Sequence, residues 1–365
     1  MPELLDQPSA VRADAGFDVQ ALAAWLRKNA AGEVGLDAQP ELLQFGKGYS
    51  NLTYLVRFGA RELVVRRAPP GVHIKSAHDM GREFRIQTAL RPVWPKVPRA
   101  LALCEDESVI GSAFYVMERV PGVILRARVP EGLLLDEPAM RRISHATCDT
   151  LAEIHNLDWK AAGLGDLLAQ RKPEGYVDRQ VRGWADRYAK ARTDDVPTVD
   201  RLGAWLEQNR PADSGATLVH NDFKYDNVIL APDLGGVVAV LDWEMATIGD
   251  PLMDLGTALG YWIQPDDPPV FQATVFGPTN RPGNLTRLEL ADRWSKATGR
   301  DATNILFYYA FALYKLAVVA QQLYKRYVDG LSKDPRFSVM LAGVQALTHA
   351  ALVAVDKGRI DRLGE

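Results

Sequence analysis

Apolar positions recur along the chain with two periods, and the change between them divides it. Residues 19–29 place Leu22, Trp25 and Leu26 at helical spacing. Short runs of strand character follow: Leu42, Leu43 and Phe45, then 53–58, then 62–66. Their β-branched and aromatic content, with turn residues between, predicts an antiparallel meander. The cluster Pro69, Pro70 and Gly71 ends it. Next comes an amphipathic helix over 76–90, with Phe84, Ile86 and Leu90 apolar, and then two more strands at 100–105 and 113–118. The break at Val120, Pro121 and Gly122 marks a boundary, beyond which the period becomes helical. Residues 137–154 put Met140, Ile143, Thr147, Leu151 and Ile154 on one helix face. Further helices are predicted at 178–191, 198–208, from about 250, 287–298, 304–328 and 337–355, with a β-rich island at 217–230 and 237–243. The order predicts an α+β protein of two lobes: residues 1–120 with a small antiparallel sheet, and residues 121–365, mainly helical. A cleft between lobes is a common ligand site.

Composition narrows the functional classes. A net charge of −3 over 365 residues is too balanced for a basic nucleic-acid binder. Two cysteines, Cys104 and Cys148, make neither a disulfide framework nor a zinc site, and suit a reducing compartment. The first 14 residues carry acids and no apolar block, so no secretory segment is expected. No apolar run is read as reaching the roughly 18–20 residues that span a bilayer. These features point to a cytoplasmic chain with neither nucleic-acid nor membrane partners.

Candidate chemistry concentrates at 218–230. Strand-like residues bracket a polar loop holding His220, Asp222, Asp226 and Asn227, and the run 238–241 leads directly into Asp242, Trp243 and Glu244. Phosphoryl transfer needs such parts: one carboxylate to orient the attacking hydroxyl, and an amide oxygen with a second carboxylate to hold magnesium against phosphates. Asp and Asn also favour turns intrinsically, so Asp226 or Asn227 alone could be turn chemistry. Gly46 and Gly48 fit a hairpin turn as readily as a phosphate cradle. His220 fits a brace for the loop, His155 a satisfied core histidine, and Asp250 a helix N-cap ahead of Pro251.

The pattern His220-x-Asp222-x-x-x-x-Asn227, followed by a strand ending in Asp242, resembles the aminoglycoside phosphotransferase and choline kinase-like family. Its members are small-molecule kinases with the protein-kinase-like fold. The segments 151–158 and 249–255 extend the resemblance, which spans about residues 45–327. The segments 50–54, 65–71, 240–244 and 324–326 are similar to the branch fused to acyl-CoA dehydrogenases in larger proteins, although this length leaves no room for a dehydrogenase domain.

The resemblance implies ATP and Mg²⁺ as cofactors. It makes Asp222 the catalytic aspartate and Asn227 and Asp242 the metal ligands. Residues 46–51, with Gly46, Gly48, Ser50 and Asn51, match the loop over the phosphates. Arg66 stands where the family has a phosphate-contacting Lys, with Glu83 as its helix partner. Met117, Glu118 and Val120 match the hinge against the adenine. Arg66 in place of Lys is not conservative, and Arg67 beside it leaves the register open. Asn221 replaces a family Gly, and Asn tolerates left-handed backbone.

The expected function is ATP-dependent phosphorylation of a hydroxyl on a small molecule, with a hydroxyacyl thioester suggested by the dehydrogenase-fused branch. Lys315, Lys325 and Arg326 would then be candidates for coenzyme A phosphates. A nucleotide-binding pseudokinase acting as sensor or scaffold is the alternative that Arg66 permits, and a hydrolase using the same acids is a further one. The sequence leaves the acceptor and the oligomeric state open.

Overall fold

The computed structural model describes residues 6–12, 15–30, 32–46, 51–68, 79–130, 132–168 and 174–364. Gly48 and Ser50, the cluster 69–71 and the start of the helix expected from 76 lie outside them. Among the described residues the strands are β1 (Pro40–Phe45), β2 (Leu52–Phe58), β3 (Arg61–Arg67), β4 (Ala100–Cys104), β5 (Phe114–Glu118), β6 (Thr217–Val219), β7 (Val228–Leu230), β8 (Val237–Val240) and β9 (Thr247–Gly249). The helices are α1 (Val19–Asn29), α2 (Met80–Leu90), α3 (Glu137–Asn156), α4 (Gly165–Leu168), α5 (Tyr176–Ala191), α6 (Pro197–Gln208), α7 (Pro251–Gly260), α8 (Pro269–Gln272), α9 (Arg287–Thr298), α10 (Ile305–Val328) and α11 (Met340–Lys357). The chain divides into two compact units. One comprises Met1–Ile124, Lys160–Leu167 and Val228–Met245; the other comprises Leu125–Trp159, Leu168–Asn227 and Ala246–Glu365.

The first unit is built on an antiparallel sheet of order β1-β2-β3-β5-β4. Successive side chains of a strand point to opposite faces, yet Tyr54, Leu55 and Val56 are all buried, as are Leu63, Val64 and Val65. Both faces are therefore covered. Tyr54, Val56, Leu63, Val65 and Val116 pack with Leu22, Ala23 and Leu26 of α1. Leu55, Val64, Tyr115 and Met117 pack with Met80 of α2. Asp18 caps α1, accepting from the amides of Gln20 and Ala21. The hairpin β7–β8 joins this unit although it lies far along the chain, and Val123 bridges to Leu230. A Cβ on Gly122 would lie 2.3 Å from the Leu230 carbonyl oxygen, so only Gly fits there.

The second unit is helical apart from the pair β6–β9, in which Leu218 faces Ile248. Its centre is α10, which packs against α5, α6, α7 and α11. Capping agrees with the sequence at α7: the Asp250 carboxylate accepts from the amides of Leu252 and Met253. One expectation needs correction. By length and composition α10 is apolar enough to cross a membrane, with mean hydropathy 1.2, and so is Pro335–Lys357, with 1.7. Lys315 and the tyrosines of α10 do not offset its aliphatic residues. In α10, 83% of that window is buried inside the protein, where a central helix must be apolar on every side; in Pro335–Lys357 the share is 39%.

Helix α7 meets α10 through glycine. A Cβ on Gly256 would sit 2.5 Å from the Tyr308 carbonyl oxygen, and one on Gly260 would sit 3.0 Å from the Ala312 Cβ. Because the obstacle at Gly256 is backbone, the helices would have to separate. Gly256→Ala is expected to destabilise the chain by about 1–3 kcal/mol, a fall in Tm of roughly 1–4 °C by calorimetry. An unchanged Tm would show that α7 and α10 are free to move apart.

Candidate active site

In the second unit the loop after β6 is fixed by one buried carboxylate. Asp254, one turn into α7, accepts from the backbone amides of His220 at 2.6 Å and Asn221 at 2.7 Å, and pairs with His155 Nε2 at 3.0 Å. Trp294 Nε1 donates to the other nitrogen of His155, at 2.9 Å, so Nε2 carries the proton. Burial pushes the Asp254 carboxyl up, but His155 and the amide donors outweigh it and hold it below the usual carboxylate range. Asn221 takes the left-handed backbone, φ 65°, that the departure from Gly demands. Its carbonyl accepts from the buried Lys315 Nζ at 2.8 Å. His220 Nδ1 accepts from the Asp222 amide at 3.2 Å, which makes it a brace.

Asp222 follows, part-buried and crowded with donors. Lys224 Nζ donates to its Oδ2 at 3.0 Å and its Oδ1 at 3.2 Å, Tyr261 Oη to Oδ1 at 2.6 Å, and Asn227 Nδ2 to Oδ2 at 2.8 Å. Burial raises the Asp222 carboxyl, and the Lys224 cation with the Tyr261 and Lys224 hydrogen bonds more than reverses this, so it stays ionised. Burial conversely pulls the Lys315 ammonium down against the nearby Asp222 and Asp254. Asn227 ends a 3₁₀ turn, Tyr225–Asn227, immediately before β7. Its amide nitrogen donates to both the Asp222 carbonyl and the Asp222 carboxylate, each at 2.8 Å.

The first unit holds the other predicted residues. Arg66, on β3, gives one nitrogen to Glu83 of α2 at 3.2 Å and another to Asp242 at 2.9 Å. Its neighbour Arg67 instead donates to the carbonyls of Ile110 and Ala15 at 2.9 Å, so it is Arg66 that lies beside Glu83 and Asp242. Alternation along β3 is the reason, since the two side chains must leave on opposite faces. Burial pushes the Glu83 carboxyl up, Arg66 draws it back only in part, and Asp242 adds to the rise. The Trp243 amide also donates to Glu83 at 3.2 Å. Asp242 itself has φ 67°, an uncommon conformation for a residue with a side chain. Asn51 Nδ2 donates to Glu244 Oε2 at 2.6 Å. Met117 is buried in the α2-side core. The Glu118 amide donates to the Arg99 carbonyl at 2.9 Å, and Val120 packs with Ile124, Ile229, Ala239 and Leu241. Gly46 follows β1, at the edge of the undescribed segment 47–50.

Two residues at Asp222 escape a reading of the sequence. Lys224 is visible only as a cation two positions on. Tyr261 stands 39 residues away, with no local pattern to mark it. Lys315, read as a candidate for phosphate contact, has its ammonium on the loop instead, and Lys325 pairs with Asp329 on the surface. Among the described residues no group of three or more His, Cys, Asp or Glu could hold a metal.

Residues 41–289 match the model of the phosphotransferase enzyme family. Acyl-CoA dehydrogenase family member 10 of Mus musculus is 39% identical over 293 residues, which are 80% of this chain and 27% of that protein. Family member 11 of the same species is 35% identical over 341 residues, 92% of this chain and 43% of that protein. The chain thus spans less than half the length of these relatives. A solved structure of a Ralstonia eutropha protein assigned as an aminoglycoside phosphotransferase is 30% identical, with a TM-score of 0.76, covering 94% of this chain and 99% of that one. That likeness extends the kinase-like fold over both units and bears out the resemblance read from the loop. The chain belongs to the phosphotransferase enzyme family.

Proposed function

We propose that the chain uses ATP and magnesium to phosphorylate a hydroxyl of a small molecule, and that the acceptor is a hydroxylated acyl thioester. The observation that carries the reading is the Asp222 carboxylate, kept ionised by Lys224 and Tyr261 and bonded at 2.8 Å to the side-chain amide of Asn227. The donor set suits magnesium, a hard cation that takes one or two carboxylate or amide oxygens and completes its shell with phosphates and water. Asn227 and Asp242 are the residues that would hold it. Bound Mg·ATP would supply the transferable phosphoryl group and the charge that offsets its oxygens.

The remaining work falls to the side chains. Asp222 orients the acceptor hydroxyl and accepts its proton as transfer proceeds. A loose transition state makes little demand on base strength, so an acid kept ionised below the usual range is adequate. Arg66, held by Glu83, presents a permanent cation to the nucleotide phosphates. Val120 and its apolar neighbours offer a face for the adenine. Kinship with acyl-CoA dehydrogenase family members supports the acyl thioester, because chains in one family branch commonly share a substrate class.

Three measurements test this. Asp222→Asn should lower kcat by at least about 10²-fold while calorimetry still shows ATP binding; near-normal turnover removes Asp222 from the mechanism. Asp242→Ala should abolish the magnesium dependence of nucleotide affinity, as should chelation of magnesium from the parent chain; an unchanged Mg·ATP affinity refutes the ligand assignment. A screen with hydroxyacyl thioesters, amino alcohols and sugars, read by mass spectrometry, should yield a phosphorylated thioester. Free phosphate alone would mean a hydrolase, and ATP binding without turnover a sensor.

A further inference from the structure

We infer that Tyr261 is a positioning residue for phosphoryl transfer, its hydroxyl fixing the rotation of the Asp222 carboxylate. The inference rests on the role proposed above for Asp222. Asp254 anchors the backbone of the loop, but backbone anchoring leaves the Asp222 carboxylate free to turn, because its terminal torsion is broad. The turn is stopped from two sides. Asn227 holds Oδ2 at 2.8 Å from within the loop, and Tyr261 holds Oδ1 at 2.6 Å from another element. Lys224 touches both oxygens, but it sits on a long flexible stem that belongs to the same loop.

Tyr261 is suited to the task because it is itself rigid. It ends α7, seven residues after Asp254, so by the helical period both lie on one face and a single helix grips the loop twice. Its ring meets Phe276 edge-on at 5.1 Å and carries the Lys224 ammonium at 4.7 Å. The next residue, Trp262, is fastened at both ends. Its indole donates to the Leu285 carbonyl at 2.8 Å, and its own carbonyl accepts from Arg287 at 2.9 Å. Arg287 is fully buried and doubly bonded to Asp267. The phenol oxygen is thus the tip of a fixed support, which is what orientation of a reacting group requires.

Tyr261→Phe deletes this oxygen and keeps the ring contacts. Initial rates would be measured with ATP and magnesium, using hydroxybutyryl-coenzyme A, choline, glucose and water as acceptors, in the parent and in the Asp222→Asn background. The expected result is a fall in kcat of about 10-fold with acceptor KM and ATP affinity unchanged, and no further fall when Asp222 is already Asn. A merely structural tyrosine would lower activity equally in both backgrounds. That outcome, an unaltered kcat, or a loss confined to KM overturns the inference. If the Phe variant does not fold, Trp262→Phe removes the indole tether behind Tyr261 and must give the same kcat-only loss. Full activity of Asp222→Asn overturns the underlying reading. An inactive Asp222→Asn beside a normal Tyr261→Phe overturns only this inference. A parent chain that transfers phosphate to none of these acceptors removes both.

Discussion

A carboxylate removed from water must find donors, and Asp254 finds them in the two backbone amides and the imidazole that determine where Asp222 stands. Each of these bonds is charge-assisted, and such bonds are shorter and stronger than neutral ones. The same loop holds Asn221 in a left-handed conformation, φ 65°, which Asn tolerates better than most residues. Trp294 bonds to His155, which bonds to Asp254, so three helices, α3, α7 and α9, converge on a single acid. The glycines that let α7 approach α10 belong to the same arrangement, since they place the helix that carries this acid.

The first unit solves a different electrostatic problem. Arg66, Glu83 and Asp242 bring two carboxylates to one guanidinium in a largely buried cluster. One cation cannot fully compensate two acids away from water, which is why Glu83 is pushed up while Asp242 remains partly open to solvent. Such a cluster is poised for an additional positive charge. Arginine suits this place because it spans both acids with separate nitrogens, whereas an ammonium is a point charge.

Much of this was legible along the chain. The strand–loop–strand run around Asp222 is marked by its own residues, because a tight polar loop between short apolar runs has few other structures open to it. Asp250 as an N-cap and His155 as a satisfied core group were equally local deductions. The choice between Arg66 and Arg67 was not, since adjacent residues of a strand differ only in the face they leave from. The membrane-crossing apolarity of α10 was misjudged because the interruptions were weighed singly, while the sum over the helix decides.

Local chemistry by itself determined where the polar loop, the helix caps and the strands fall along the chain, because capping, alternation and turn preference act within a few residues. Only the tertiary structure decided what surrounds them. Tyr261 reaches Asp222, Lys315 reaches the Asn221 carbonyl and Glu83 receives the Trp243 amide across gaps of 39, 94 and 160 residues. Contacts of that range arise from the packing of whole elements, and no period or motif in the amino-acid order encodes them directly.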